Sequence, residues 1–166
     1  MKTYIGIDNR VSGTIAIIDA NKDALFYEMP VFSQQNYTKK KGNITRVDTN
    51  ELLHSILGSI HHSEVAMVGI ERPMVNPKRW VASCSALRAM EATLIVLEYL
   101  GFPYMFLDSK EWQKMLLPHG VKGTPALKHA SMDRGCQLYP QHRELITKHK
   151  DADGLLMAEY LRRMRL

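Results

Sequence analysis

Apolar residues fall along this chain in two rhythms. Residues 3–8, 13–19, 24–29, 65–71 and 103–107 are short runs of β-branched and bulky residues bounded by polar or turn-forming positions, and they predict five strands. Only Ser12-Gly13 and Ala20-Asn21-Lys22-Asp23 separate the first three, which predicts an antiparallel meander. Helical spacing governs 51–61, where Leu52, Leu53, Ile56, Leu57 and Ile60 share a face, and also 81–100, 110–117, 125–139 and 155–164. Asp48 or Thr49, Asp108 or Ser109, and Thr124 stand where helix caps belong. Pro125 holds a favoured first position, and Gly101 is a C-terminal stop. The apolar residues of 81–100 nearly encircle the helix, so burial on more than one side is expected, with Trp80 packed at its start.

The order is βββαβαβαα with a closing helix. A helix links the fourth and fifth strands, which makes them parallel. The expected fold class is α/β: a mixed five-stranded sheet, with a three-strand antiparallel meander plus two parallel strands, flanked by helices. The length of 166 residues suits a single domain over 1–166, and no internal repeat is present. Residues 30–48 are polar and carry Lys39, Lys40, Lys41 and Arg46, so they read as a long basic loop. Residues 72–79 form a second basic loop with two prolines.

The formal charge of +5 is clustered, at Lys39–Lys41 with Arg46, at Lys78-Arg79, at Lys148 with Lys150, and at Arg162, Arg163 and Arg165. Such clusters suit a polyanion, or serve solubility alone. Cys84 and Cys136 are the only cysteines, too few for a disulfide framework, and they point to the reducing cytoplasm. Zinc is disfavoured because no paired Cys/His spacing occurs; His61-His62, at a helix end, reads as solvated or capping. No signal-peptide pattern opens the chain, and no apolar run approaches the ~20 residues that span a bilayer, so no membrane partner is expected.

Chemistry enters with the acids. Asp8 closes the first strand and Glu71 the fourth. A carboxylate at the tip of a buried strand is costly unless a cation binds it. Were these strands neighbours, the two tips would build a site for a hard divalent ion, and Asp153, with Asp151 beside it, could complete the set. Two Mg²⁺ ions ~3.5–4 Å apart suit phosphodiester hydrolysis. Taken singly, an Asp after a strand is more often a turn residue, as Asp8-Asn9 would be, and Asp153 a charge favoured at a helix N-terminus; the joint pattern is the more specific signal.

Ile5-Gly6-Ile7-Asp8 with Ser12 to Asp19 resembles the opening of RuvC-type Holliday-junction resolvases, particularly their phage branch. Val68-Gly69-Ile70-Glu71 resembles the second acidic motif of that family, and Asp153-Gly154-Leu155-Leu156-Met157-Ala158 its closing motif. Ser109 to Gln113 and Lys128 to Ser131 are similar to intervening segments of phage members. The resemblance covers nearly the whole chain in order. It implies a ribonuclease-H-like fold and a Mg²⁺-dependent endonuclease, with Mn²⁺ as substitute. It also implies a homodimer through the 81–100 helix and branched double-stranded DNA as partner.

By the same resemblance Asp8, Glu71, Asp153 and Asp151 would hold metal, and Lys110 and Lys128 would stand near the reacting phosphate. The loop carrying Arg72, Met74, Lys78 and Arg79 would enter the junction centre, with Met74 either wedged between bases or filling the core. Lys39, Lys40, Lys41 and Arg46 would grip phosphates or stay solvated. The chain departs from the family twice. Asn9-Arg10 follows the first acid where Pro-Gly or a similar pair is usual. Lys150 stands three residues before Asp153, where relatives carry Asp or His, and either contacts phosphate or marks a weakened site. Residues two apart on a helix point ~200° apart, so Asp151 could join Asp153 only from the loop before the helix. The competing readings are a junction-binding protein without catalysis and a same-fold nuclease acting on forks or RNA–DNA hybrids. An actin-like ATPase is the least favoured, because the chain is short for the duplicated domains and lacks a second phosphate loop.

Overall fold

The structure, a computed structural model, describes residues 2–60 and 64–166. The His61-His62 pair, with the end of the helix expected over 51–61, lies outside them. Strands β1 (Lys2–Ile7), β2 (Thr14–Asp19) and β3 (Ala24–Glu28) form the expected meander. A hairpin, β4 (Val31–Gln35) and β5 (Asn43–Val47), precedes α1 (Thr49–Ser59). There follow β6 (Glu64–Glu71), α2 (Trp80–Leu100), β7 (Tyr104–Leu107), α3 (Ser109–Leu116), α4 (Thr124–Leu138), α5 (Arg143–His149) and α6 (Asp153–Met164). The main sheet runs β3-β2-β1-β6-β7, with β6 parallel to both β1 and β7.

Strand alternation decides which side chains meet which helices. Ile5, Ile7, Ile15, Ile17, Val68 and Ile70 face one way and pack with Leu52 and Ile56 of α1 and Ala89, Val96 and Leu97 of α2. The opposite face carries Tyr4, Ala16, Ile18 and Phe26, covered by Trp112, Leu116, Tyr139, Ile146 and the apolar residues of α6. Helix α6 lies directly on β1 and β2. A Cβ at Gly6 would come 2.1 Å from the Gly154 carbonyl oxygen, and one at Gly154 would come 2.5 Å from that of Thr14. Only glycine permits this approach, and it brings the N-terminus of α6 to the end of β1.

Several expectations need correction. Residues 30–48 are not a loop, because Val31↔Val47 to Gln35↔Asn43 pair in register. The hairpin buries only Val47, so neither strand has the apolar face that marks a strand in sequence. Helix α5 was not expected; it is seven residues long and buries only Ile146. Asp48 and Asp108 do cap α1 and α3, but Thr124 caps nothing, Gly123 preceding α4 without a side-chain bond. Helix α2 is buried on one stripe, by Ser83, Ala89, Thr93, Val96 and Leu97. Its bulky Val81, Ile95 and Tyr99 face outward, and Trp80, expected to pack, is 67% exposed. By length and composition the helix over 77–100 could cross a membrane, although Lys78, Arg79, Arg88, Glu91 and Glu98 interrupt its apolar residues; here Ala89, Val96 and Leu97 lie on the protein core.

Candidate metal centre

Asp8 is the residue after Ile7, on the side of the sheet that faces α6, since it alternates with Tyr4 and Gly6. Glu71 closes β6, one step past the Ile7↔Ile70 pair, and Gly69 before it faces Leu161 of α6. The two strand tips are therefore neighbours on one face. Lys150 ends α5 in the left-handed region, with φ of 54°, and turns the chain so that Asp151 precedes α6 rather than lying on it. From there the Asp151 carboxylate accepts a bond of 2.8 Å from the Asp153 backbone N–H, so both acids point into one site.

Ligand oxygens of Asp8, Asp151 and Asp153 all lie within 4.8 Å of one another. Asp8 and Asp151 are 0% and 2% exposed, and Asp153 is half-buried. Ser131 on α4 donates to Asp153 at 2.5 Å, and Thr14 on β2 donates to Asp151 at 3.3 Å. Lys128 Nζ stands 3.5 Å from Asp151 Oδ2. Arg10 reaches into the cluster: its Nε donates to Asp8 Oδ1 at 2.8 Å and its Nη2 to Asp8 Oδ2 at 2.5 Å.

The acids suppress one another's ionisation. Burial first, then the charge of Asp8, push Glu71 up to about 8. Burial and the charges of Asp151 and Asp8 push Asp153 up to about 7. Asp151 is raised by burial and by Asp8, against the opposing pull of Arg10 and Lys128. Carboxyl groups held this far above their ordinary range mark a site short of positive charge. The donor set is all oxygen, from three carboxylates, which fits a hard divalent ion such as Mg²⁺ or Mn²⁺ and not a thiophilic one.

The site thus gathers Asp8, Asp151 and Asp153, with Glu71 beside Asp8 and Lys128 at the edge. Lys110 sits in the first turn of α3 and lines a separate surface cavity of about 420 Å³ with Lys114, His119 and Lys122. Lys39, Lys40 and Lys41 occupy the exposed tip of the β4–β5 hairpin. Arg46 lies along the same hairpin, donating to Gln34 at 2.9 Å and covering the Phe32 ring. Arg72, Lys78 and Arg79 are exposed beyond β6, and Met74 is 84% exposed, which removes the core-filling alternative. Lys150 is exposed, and its left-handed backbone makes the turn that sets Asp151 ahead of α6. Sequence reasoning missed Arg10, Thr14 and Ser131 as parts of the site. Arg10 carried the one available signal, a cation two residues after a strand-tip acid.

No protein-family model matches the chain, and no curated protein matches it in sequence. Its fold has solved counterparts. A T. thermophilus RuvC in complex with a Holliday junction substrate superposes with a TM-score of 0.58 at 12% identity, covering 99% of this chain and 96% of that one. A second Thermus thermophilus RuvC structure gives 0.52 at 13% identity over 98% and 96%. A fowlpox virus Holliday junction resolvase gives 0.47 at 10% identity over 98% and 99%. With the β3-β2-β1-β6-β7 order, the helices on both faces and the two RuvC superpositions agreeing, the chain has the ribonuclease-H-like fold in its RuvC-like form.

Proposed function

We propose that this chain is a structure-specific endonuclease that cuts four-way or branched DNA junctions by Mg²⁺-dependent hydrolysis of a phosphodiester. The observation that carries this reading is the convergence of Asp8, Asp151 and Asp153 to within 4.8 Å beside Glu71, on a RuvC-like frame. When bound, Mg²⁺ would polarise the phosphoryl oxygen and make the attacking water a better nucleophile at neutral pH.

The chain's own residues do the rest. Asp8, Asp151 and Asp153 hold the ion, and Glu71 supplies a fourth carboxylate from the adjacent strand. Ser131 and Thr14 fix the rotamers of Asp153 and Asp151 by hydrogen bonds, so the ligands are set before substrate arrives. Lys128, half-exposed above Asp151, is placed to stabilise the extra negative charge on the phosphate as water adds. Lys110, from its cavity at the start of α3, would supply a further cation to the substrate backbone. Lys39, Lys40, Lys41, Arg46, Arg72, Lys78, Arg79 and Lys150 supply exposed positive charge for the DNA backbone, and Met74 an apolar tip to press against bases. The outward face of α2, with the exposed Val81, Ile95 and Tyr99, is the surface we assign to a homodimer, which would present two sites to a near-two-fold junction. We place this activity in the cytoplasm and the protein among phage-type resolvases, as one domain over 1–166, the free thiols of Cys84 and Cys136 fitting a reducing compartment.

The test is incubation of the purified protein with a labelled four-way junction and Mg²⁺. Paired nicks that vanish in Asp8→Asn are expected; unchanged cleavage by that variant would reject the site. Arg10 favours a second reading, because a guanidinium already satisfies part of the carboxylate cluster. On that reading the chain binds junctions without cutting them. Tight binding with no product at any Mg²⁺ or Mn²⁺ level is its signature, and forks and RNA–DNA hybrids as competitors separate the remaining nuclease alternatives.

A further inference from the structure

We propose that the Arg10 side chain is a built-in competitor for the metal: it occupies the cation's place in the Asp8–Asp151–Asp153 cluster, must swing out before a divalent ion enters, and thereby sets the chain's metal affinity. The inference rests on the metal-binding reading above and adds to it a competing cation supplied by the protein itself.

The geometry is that of a shared counter-ion. A single nitrogen, Arg10 Nη2, lies 2.5 Å from Asp8 Oδ2, 3.4 Å from Asp151 Oδ2 and 3.6 Å from Asp153 Oδ2. One carboxylate oxygen from each acid thus converges on the same positive group. A second cation cannot simply be added there. The lone pairs of Asp8 that accept Arg10 Nε and Nη2 are those a metal would need, and two positive centres at the same oxygens repel. Deprotonation offers no way out either, because a guanidinium stays charged at any working pH. The side chain has to move.

It is free to do so. The Arg10 side chain is 42% exposed while the acids it joins are buried, so the guanidinium reaches in from solvent. Its backbone is held independently: Arg10 N–H donates to the Asp8 carbonyl and Gly13 N–H to the Arg10 carbonyl, each at 2.9 Å. Rotation about side-chain bonds empties the cluster without disturbing the turn that positions Asp8. Lys128 does not play this part, since it reaches Asp151 alone of the three, at 3.5 Å.

The experiment is titration of Mn²⁺ into the full chain by calorimetry, with thermal melts run in parallel, for wild type, Arg10→Gln and Arg10→Lys. Arg10→Gln should bind Mn²⁺ about tenfold more tightly, the size of effect one close charge pair commands. Metal-free, it should melt below wild type, and it should gain more from saturating Mn²⁺. Arg10→Lys, whose ammonium lacks the planar two-nitrogen fork that clasps Asp8, should fall between, and it decides on the same criterion should Arg10→Gln fail to fold. Mn²⁺ binding to wild type that is equal or weaker in these variants overturns the competitor role and leaves the metal site standing. No Mn²⁺ binding to wild type or to any variant overturns the metal reading and this inference with it.

Discussion

Two buried carboxylate sites lie on the same helix, and they are solved in opposite ways. At the N-terminal end of α6, Asp153 joins Asp8, Asp151 and Glu71, four acids against one arginine and one lysine. Two turns on, Glu159 is fully buried and alone, yet it accepts from Tyr139 Oη at 2.7 Å, Arg162 Nε at 2.8 Å, Arg162 Nη2 at 3.1 Å and Arg163 Nε at 2.7 Å. The hydrogen bonds from Arg162, Tyr139 and Arg163 outweigh burial and hold Glu159 down at about 2, while Glu71 and Asp153 are pushed up to about 8 and about 7. Burial opposes the charge at both places. What differs is whether the protein itself supplies the positive charge. Glu159 is satisfied and pins α6 to Tyr139. The acidic cluster is left wanting a cation, which is the signature of a functional site.

The same substitution should therefore have opposite signs at the two places. Glu159→Gln removes the charge that two arginines and a tyrosine are arranged around, and should lower stability by about 2 kcal/mol in chemical denaturation. Glu71→Gln removes a charge that Asp8 repels, and should raise the stability of metal-free protein by about 1 kcal/mol near pH 8.5, while junction cleavage collapses. A loss of stability in both variants would erase the distinction between a structural and a functional carboxylate here.

How much of this contrast could be read beforehand follows from which interactions are local. Asp8 and Glu71 were legible because a strand tip is marked by the apolar run before it, and strand order then makes them neighbours. Asp153 was legible as the start of an apolar helix. The partnership of Asp151 with it was legible only as a condition, that Asp151 lie in the loop before the helix; what meets the condition is the left-handed turn at Lys150, which no propensity assigns to lysine. Arg10 was passed over because a charged residue in a turn is ordinarily solvated; only the fold brings Asp151 and Asp153 to meet it. The β4–β5 hairpin escaped for the opposite reason. It packs so little that it carries no burial pattern, and its register is held by backbone bonds, with Asn36 N–H donating to the Gly42 carbonyl at its tip.

Titration sharpens the comparison with a smaller effect. A carboxyl whose folded value is raised keeps its proton in the fold after the unfolded chain has released it. It contributes stability below the unfolded value, 4.5 for Glu71 and 3.8 for Asp153, and loses it as pH rises toward the folded value. Metal-free protein should therefore lose about 1 kcal/mol or more between pH 5 and pH 8 through Glu71 and Asp153. Glu159 runs the other way: its contribution is complete above about 4.5 and fades only as pH falls through about 2. Denaturation midpoints across pH 5 to 8 should fall in wild type, fall less in Glu71→Gln, and flatten once Mg²⁺ saturates the site. A flat profile without metal would mean the cluster is already balanced.

The smallest effect tests whether the cations themselves are interchangeable with metal. Lys128→Ala removes a half-exposed ammonium 3.5 Å from Asp151, and should cost no more than about 0.5 kcal/mol without metal. Arg162→Ala removes two bonds to a fully buried acid, and should cost about 1 kcal/mol. Adding Mg²⁺ supplies Asp151 with the charge that Lys128 gave, so the first deficit should close as the ion binds. Glu159 belongs to no such cluster of acids among the described residues and keeps its bonds from Tyr139 and Arg163, so the second deficit should persist at every Mg²⁺ concentration. Melts of both variants with and without Mg²⁺ read this directly. Were the Arg162→Ala deficit to close as well, Mg²⁺ would be stabilising the fold in general rather than filling the place that Asp8, Asp151 and Asp153 enclose.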